Sequence, residues 1–186
     1  VIGSNDPEAM LRHTQECRTR KIPFAADPSQ QLAFMDGESI RELIDGATYL
    51  FTNEYEAALT EQKTGWSREH IAERVQTRVI TKGKDGALIT TRGEQPIEVT
   101  VAHELRKADP TGVGDAFRAG FLTGLACGLG HERSAQIGSM LATYVVETVG
   151  TQEYELGRRR FLERFTEGYG ALACAEIEPH VTCLRP

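Results

Sequence analysis

Short apolar runs alternate with amphipathic stretches from the first residue onward, the arrangement that builds β-α-β units around a mostly parallel sheet. Val1-Ile2-Gly3 reads as the tail of a buried strand. Asn5-Asp6-Pro7-Glu8 predicts a helix start, because Asn5 stands three residues before Glu8 as in a capping box and Pro7 falls early in the first turn. That helix should run to about Arg20. Ile22 to Ala26 is then a strand ending at Asp27-Pro28, Glu38 to Ile44 a helix, and Ala47 to Thr52 a strand that delivers Asn53 and Glu56 to its C-terminal edge.

Ser67 is placed to cap a helix through Val75, and the strand Val79 to Thr81 follows with a turn over Gly83-Lys84-Asp85-Gly86. Ala87 to Thr91 and Ile97 to Val101 alternate as an antiparallel hairpin across Arg92-Gly93-Glu94, which interrupts the parallel series on one side of the sheet. After a glycine-rich loop, a helix beginning at Asp115 carries Phe117, Phe121, Leu122 and Leu125 on one face. Further helices are expected over Ser134 to Glu147 and Gly157 to Tyr169, while residues 178–186 carry no assignable pattern. The fold class expected is α/β, a mainly parallel sheet with helices on both faces.

Composition narrows the classes. A chain of 186 residues that is 40% apolar and 26% charged can bury the core of one globular domain. The net charge of −6, with Lys and Arg scattered, argues against nucleic acid or an anionic membrane as partner. The one basic cluster, Arg158-Arg159-Arg160, shares a helical pattern with Phe161, Leu162 and Phe165 and reads as a solvated helix face. Cys17, Cys127, Cys174 and Cys183 form no C-x-x-C pair and have no histidine at zinc-ligand spacing, so reduced thiols in a cytoplasmic protein are expected. No apolar run reaches the roughly 18 residues of a membrane span, and the start has no signal-peptide pattern. With no initiator methionine before Val1, the chain is expected to begin inside a longer protein.

Candidate chemistry concentrates in Asp109-Pro110-Thr111-Gly112-Val113-Gly114-Asp115-Ala116-Phe117. Two glycines let the backbone turn sharply and aim successive N–H groups into one concavity, and the helix that follows adds the positive end of its dipole. A carboxylate at that helix start, beside an anion hole, can take a proton from an incoming hydroxyl. The plainer reading makes Asp115 a helix-terminal acid worth about 0.3 to 1 kcal/mol. Likewise, Asn53-Glu54-Tyr55-Glu56 is on its own an ordinary capping box, and Thr81-Lys82-Gly83-Lys84-Asp85-Gly86 on its own a turn.

Taken together and in order, these segments resemble the ribokinase-like (PfkB) kinases. The glycine string is similar to their D-T-x-G-A-G-D signature, with Pro110 in place of the usual Thr and Val113 in place of Ala; Asn53 to Glu56 resembles their N-x-x-E motif, and Thr81 to Gly86 their T-x-G-x-x-G segment. The resemblance spans about Val1 to Ile177 and is closest to adenosine kinases of actinobacterial type, through Asn5 to Met10, Asp27 to Gln31 and Gly150 to Glu153. It implies an ATP-dependent phosphotransferase acting on the 5'-hydroxyl of adenosine in purine salvage, with a sugar kinase or a non-catalytic nucleotide-binding module as alternatives. It assigns Asp115 as base and the amides of Gly112, Val113 and Gly114 as the anion hole. Asn53 and Glu56 would hold Mg2+ through water, while Thr81, Gly83, Gly86, Gly138 and Ala142 would border the nucleotide. Asp109, Thr111 and Gly150 would surround K+. A homodimer of the full-length protein is a further implication. The N-terminal half and lid of such kinases precede the part matched here, so this piece alone is expected to lack turnover. No G-x-G-x-x-G follows the first strand and no G-x-x-x-x-G-K-[ST] occurs, which disfavours a dinucleotide-binding domain and a Walker-type NTPase.

Overall fold

The computed structural model describes residues 1–181, so Cys183 lies outside the described residues. Two compact units are present, one formed by 1–83 and 88–97, the other by 84–87 and the described residues from 98 onward. In the first, helix α1 (Pro7–Arg20) leads to strand β1 (Ala25–Ala26), then to α2 (Gly37–Ile44), β2 (Tyr49–Asn53), α3 (Glu54–Thr64), α4 (Arg68–Arg74) and β3 (Thr77–Thr81). Strands β4 (Ala87–Thr91) and β5 (Ile97–Val99) complete a five-stranded sheet in the order β1-β2-β3-β4-β5. β1 and β2 pair in parallel, as do β2 and β3, with Asn53 opposite Thr81 at the C-terminal ends. The connections 82–86 and 92–96 are too short for parallel crossovers, so the sheet turns antiparallel beyond β3. Ile2 makes an isolated parallel bridge to Ala26.

Local chemistry explains where the elements start and stop, and corrects several expected bounds. α1 is capped by Asp6, whose Oδ1 accepts from the Ala9 amide at 2.9 Å, and not by Asn5. With Asp6 as cap, Pro7 takes the first helical position, where its missing N–H costs nothing. Lys21 ends the helix in the left-handed region at φ 55, and the Ile22 amide returns to the Cys17 carbonyl at 2.8 Å. The strand expected over Ile22 to Ala26 shrinks to two residues, since Pro23 offers no amide to a ladder. β2 ends one residue later than expected, at Asn53, and β5 ends at Val99. The first unit's core gathers Met10, Leu32, Ile40, Leu43, Ile44, Leu50 and Ile71. Arg78 on β3, 2% exposed, donates to Glu61 Oε1 of α3 at 3.0 Å and ties that helix to the sheet.

The second unit holds α5 (Val113–Ala126), α6 (His131–Val146), α7 (Arg158–Tyr169) and α8 (Ala171–Ile177). α5 begins two residues before Asp115 because Gly112 adopts φ 81 and supplies the cap. α6 starts at His131 and not at Ser134, its first turn being polar and so silent in the hydrophobic period. Beyond α8, in the segment from 178 onward that carries no assignable sequence pattern, a 3-10 turn spans Glu178–His180. Met140, Tyr144, Phe161, Phe165, Cys174 and Ile177 form the core. α5 and α6 cross closely enough that a Cβ on Gly120 would stand 2.7 Å from Gly138 Cα, and one on Gly138 would stand 2.5 Å from the Phe117 carbonyl oxygen. Among the described residues, no helix is long and apolar enough to cross a membrane.

Candidate active site

Within the first unit, the N-x-x-E residues occupy the C-terminal end of β2. Asn53 leaves the strand in an extended conformation and caps α3; its Oδ1 accepts from the Glu56 amide at 2.8 Å. Glu56 Oε2 accepts in return from the Asn53 amide at 2.8 Å. This is a complete capping box, and it leaves the second carboxylate oxygen of Glu56 and further lone pairs of both groups for a solvated cation. The register sets Thr81 beside Asn53 at the end of the neighbouring strand. Gly83 follows at φ 54. Magnesium held through water and substrate phosphates asks for only one or two such oxygens, and these residues fit that demand. No cluster of three His, Cys, Asp or Glu side chains able to hold a metal occurs among the described residues.

Gly86, in the second unit, takes φ 90, and a Cβ there would lie 1.9 Å from the Val99 carbonyl oxygen. Only glycine allows that approach of two backbones.

The glycine loop is built around Asp109. Its Oδ1 accepts from the Thr111 amide at 2.9 Å and its Oδ2 from the Gly150 amide at 3.4 Å, so the structure brings Asp109, Thr111 and Gly150 together. Hydrogen bonds from Thr111, and then from the Gly150 amide, hold the Asp109 carboxyl below the usual carboxylate range. Gly112 turns the chain at φ 81 with Thr151 against it, a Cβ there falling 2.9 Å from Thr151 Cγ2. α5 then starts, and the amides of Val113, Gly114 and Asp115 have no partner inside the helix. That of Val113 bends back to the Pro110 carbonyl at 3.3 Å. Asp115 is the third residue of α5, its side chain 80% exposed, with Arg118 Nη2 2.5 Å from its Oδ1. Such a carboxylate, beside first-turn amides that the helix itself does not use, can accept a proton next to a bound anion.

Other expected site residues have structural tasks of their own. Gly138 sits at the α5–α6 crossing, and Ala142 lies half-buried one turn further along α6. Sequence reasoning gave no role to Arg118, although its spacing of three from Asp115 on a helix was a usable signal. It also passed over Glu147. Burial by itself would push the Glu147 carboxyl up; hydrogen bonds from Arg164 and the Leu105 amide outweigh it and hold it below its usual range.

Comparison with known proteins decides the family: the profile of pfkB family carbohydrate kinases matches residues 1–156. The chain belongs to that family. A nucleoside kinase of Methanocaldococcus jannaschii is 32% identical over 151 residues, which cover 81% of this chain and 49% of that protein. The structure of Burkholderia thailandensis nucleoside kinase in complex with inosine is similar at 36% identity and a TM-score of 0.85, over 91% of this chain and 57% of that one. An adenosine kinase of Saccharomyces cerevisiae is more distant, 25% identical over 158 residues covering 77% of this chain and 46% of that protein. This pfkB-family chain thus has the ribokinase-like α/β fold expected from its sequence, and spans about half the length of the curated relatives it matches.

Proposed function

We propose that the full-length protein transfers the γ-phosphoryl group of ATP to the 5'-hydroxyl of a purine nucleoside, adenosine foremost. The observation that carries this reading is the exposed Asp115 carboxylate at the third position of α5, where the glycine loop leaves first-turn amides unused by the helix. Asp115 accepts the hydroxyl proton as the nucleoside oxygen bonds to the γ-phosphorus and the bond to the β-γ bridging oxygen breaks, ADP departing with that electron pair. The amides of Gly112, Val113 and Gly114 face the charge that grows on the phosphoryl oxygens, an electrostatic aid of the kind that dominates such transfers. Val113 must give up its bond to Pro110 to join them.

Mg2+ at Asn53 and Glu56 would neutralise phosphate charge, and K+ beside Asp109, Thr111 and Gly150 would do the same for the loop. Thr81, Gly83, Gly86, Gly138 and Ala142 are proposed to border the nucleotide, on the strength of the family motifs alone. The choice of a nucleoside over a free sugar is supported by the nucleoside kinases of Methanocaldococcus jannaschii and Burkholderia thailandensis, the latter also known in complex with ADP-inosine. A cytoplasmic location and a homodimer accord with this reading.

Asp115→Asn in the full-length protein tests it. The variant keeps a side chain that Arg118 can bond but cannot take the proton, so kcat should fall by about 10² to 10⁴ while ATP affinity changes little. Near-normal kcat would remove Asp115 from the reaction. Adenosine, inosine, ribose and fructose at equal concentration give the acceptor, and a preference for ribose or fructose would favour a sugar kinase.

A further inference from the structure

Between β5 and α5, residues 100–112 have neither helix nor strand, so no ladder fixes the course of the chain into the glycine loop. A polar stripe on α6 does so instead. Ser139, Thr143 and Glu147 recur every fourth residue and therefore line one side of the helix; they are buried, at 5%, 5% and 8% exposure. Ser139 Oγ donates to the Thr100 carbonyl at 3.3 Å, and Thr143 Oγ1, whose shorter contact is the Ser139 carbonyl at 2.9 Å, also lies 3.4 Å from the Ala102 carbonyl. Glu147 Oε1 accepts from the Leu105 amide at 2.7 Å, and its backbone carbonyl accepts from Arg106 Nε at 2.7 Å. One residue back, the Val146 carbonyl takes the amides of Ala108 at 2.8 Å and Asp109 at 3.2 Å.

The Glu147 carboxylate is in turn gripped by α7. Arg164 Nη1 donates to Oε2 at 2.8 Å, and Nη2 donates both to Oε1 at 2.7 Å and to the His103 carbonyl at 3.0 Å. The guanidinium also lies 4.7 Å from the Tyr144 ring centroid. A buried ion pair is poor value for stability, since apolar replacements of similar volume often serve as well. This pair differs in directing hydrogen bonds to backbone groups at 103 and 105 of an irregular segment. We propose that Glu147 and Arg164 are positioning residues for the glycine loop, setting the path of residues 103–109 and thereby the placement of Asp109 and the start of α5. The proposal's catalytic half rests on the phosphotransferase reading above; its mechanical half does not.

Hydrogen exchange across residues 100–112, read beside kcat and KM, tests it in the full-length protein. Glu147→Ala frees the Leu105 amide and strands Arg164, so exchange at 105–109 should rise at least about tenfold. kcat should fall about 10- to 100-fold with KM for ATP nearly constant, the signature of misplacement and not of lost binding. Glu147→Gln still accepts from Leu105 and should restore the protection and most of kcat. Because Glu147→Ala leaves a buried charge, the paired variant Glu147→Leu with Arg164→Met is the stricter case: it should hold its melting temperature yet still lose loop protection and kcat. Unchanged protection at 105–109 in that folded double variant would overturn the proposal. Lost protection with unchanged kcat would uphold the clamp and instead remove the glycine loop from the reaction.

Discussion

Replacing Gly138 by alanine adds one methyl group at the point where α5 and α6 come closest. Built on the backbone, that Cβ stands 2.5 Å from the Phe117 carbonyl oxygen and 3.2 Å from both Phe117 Cδ2 and the Phe121 nitrogen. Two of these are backbone atoms of a helix and cannot swing aside, so α5 must retreat by roughly 1 Å to regain a separation near 3.5 Å. Overpacking of this sort costs about 1 to 3 kcal/mol, against a gain of up to about 1 kcal/mol from placing alanine in a helix interior. The expected net loss is about 1 to 2 kcal/mol, or about 2 to 8 °C in Tm for a chain of this size. Gly168 provides the opposite case on the same unit. There a Cβ meets only Ala102, at an ordinary 3.8 Å, so Gly168→Ala should stabilise α7 by about 0.5 to 1 kcal/mol. Urea unfolding followed by circular dichroism reads both signs. A Gly138→Ala variant as stable as the parent would show that the crossing is looser than these distances say, and the packing argument would fail.

Glu56→Gln keeps an acceptor for the Asn53 amide but removes the charge, so Tm should hardly move while the Mg2+ concentration for half-maximal activity rises several-fold; an unchanged Mg2+ dependence would return the pair to a purely capping role. On the acid side, the Glu147 carboxyl is held below its ordinary value of 4.5 in the folded chain, so its stabilising contribution is complete above about that pH and is lost as pH falls through the folded value. Tm measured from pH 7 downward should decline less steeply below pH 4.5 in Glu147→Gln than in the parent, and identical slopes would contradict the assignment.

Most helices were legible because each buries one face: Met10 and Thr14 on α1, Phe161 and Phe165 on α7, and the long apolar series of α6 all keep the helical period. Ends were less legible because they depend on single hydrogen bonds. Nothing in the order Asn5-Asp6 tells which carboxyl or amide oxygen reaches the Ala9 amide, and only the positive φ of Gly112 moves the start of α5 to Val113. α8 is short and preceded by glycine, with alanines that carry little periodic contrast. Within the candidate site, the capping box at Asn53 and the turn at Gly112 follow from local residue types. The pairing of Glu147 with Arg164, and of both with residues 103–105, joins positions 17 to 61 apart and has no local signature.

Those sequence separations bear on how the molecule comes into being. Leu105 waits for a partner 42 residues downstream, Asp109 for one 41 downstream, and the His103 carbonyl for one 61 downstream. At synthesis rates of about 5 to 20 residues per second, roughly 3 to 12 s pass between the emergence of His103 and that of Arg164. Until Val146, Glu147 and Gly150 emerge, the glycine loop is a tethered but unlaid stretch of polypeptide, while the first unit has every residue of its parallel strands in hand. Its final course is therefore acquired late on the ribosome, and a nascent chain arrested before the end of α6 would carry an intact signature sequence on a loop that has not yet been set.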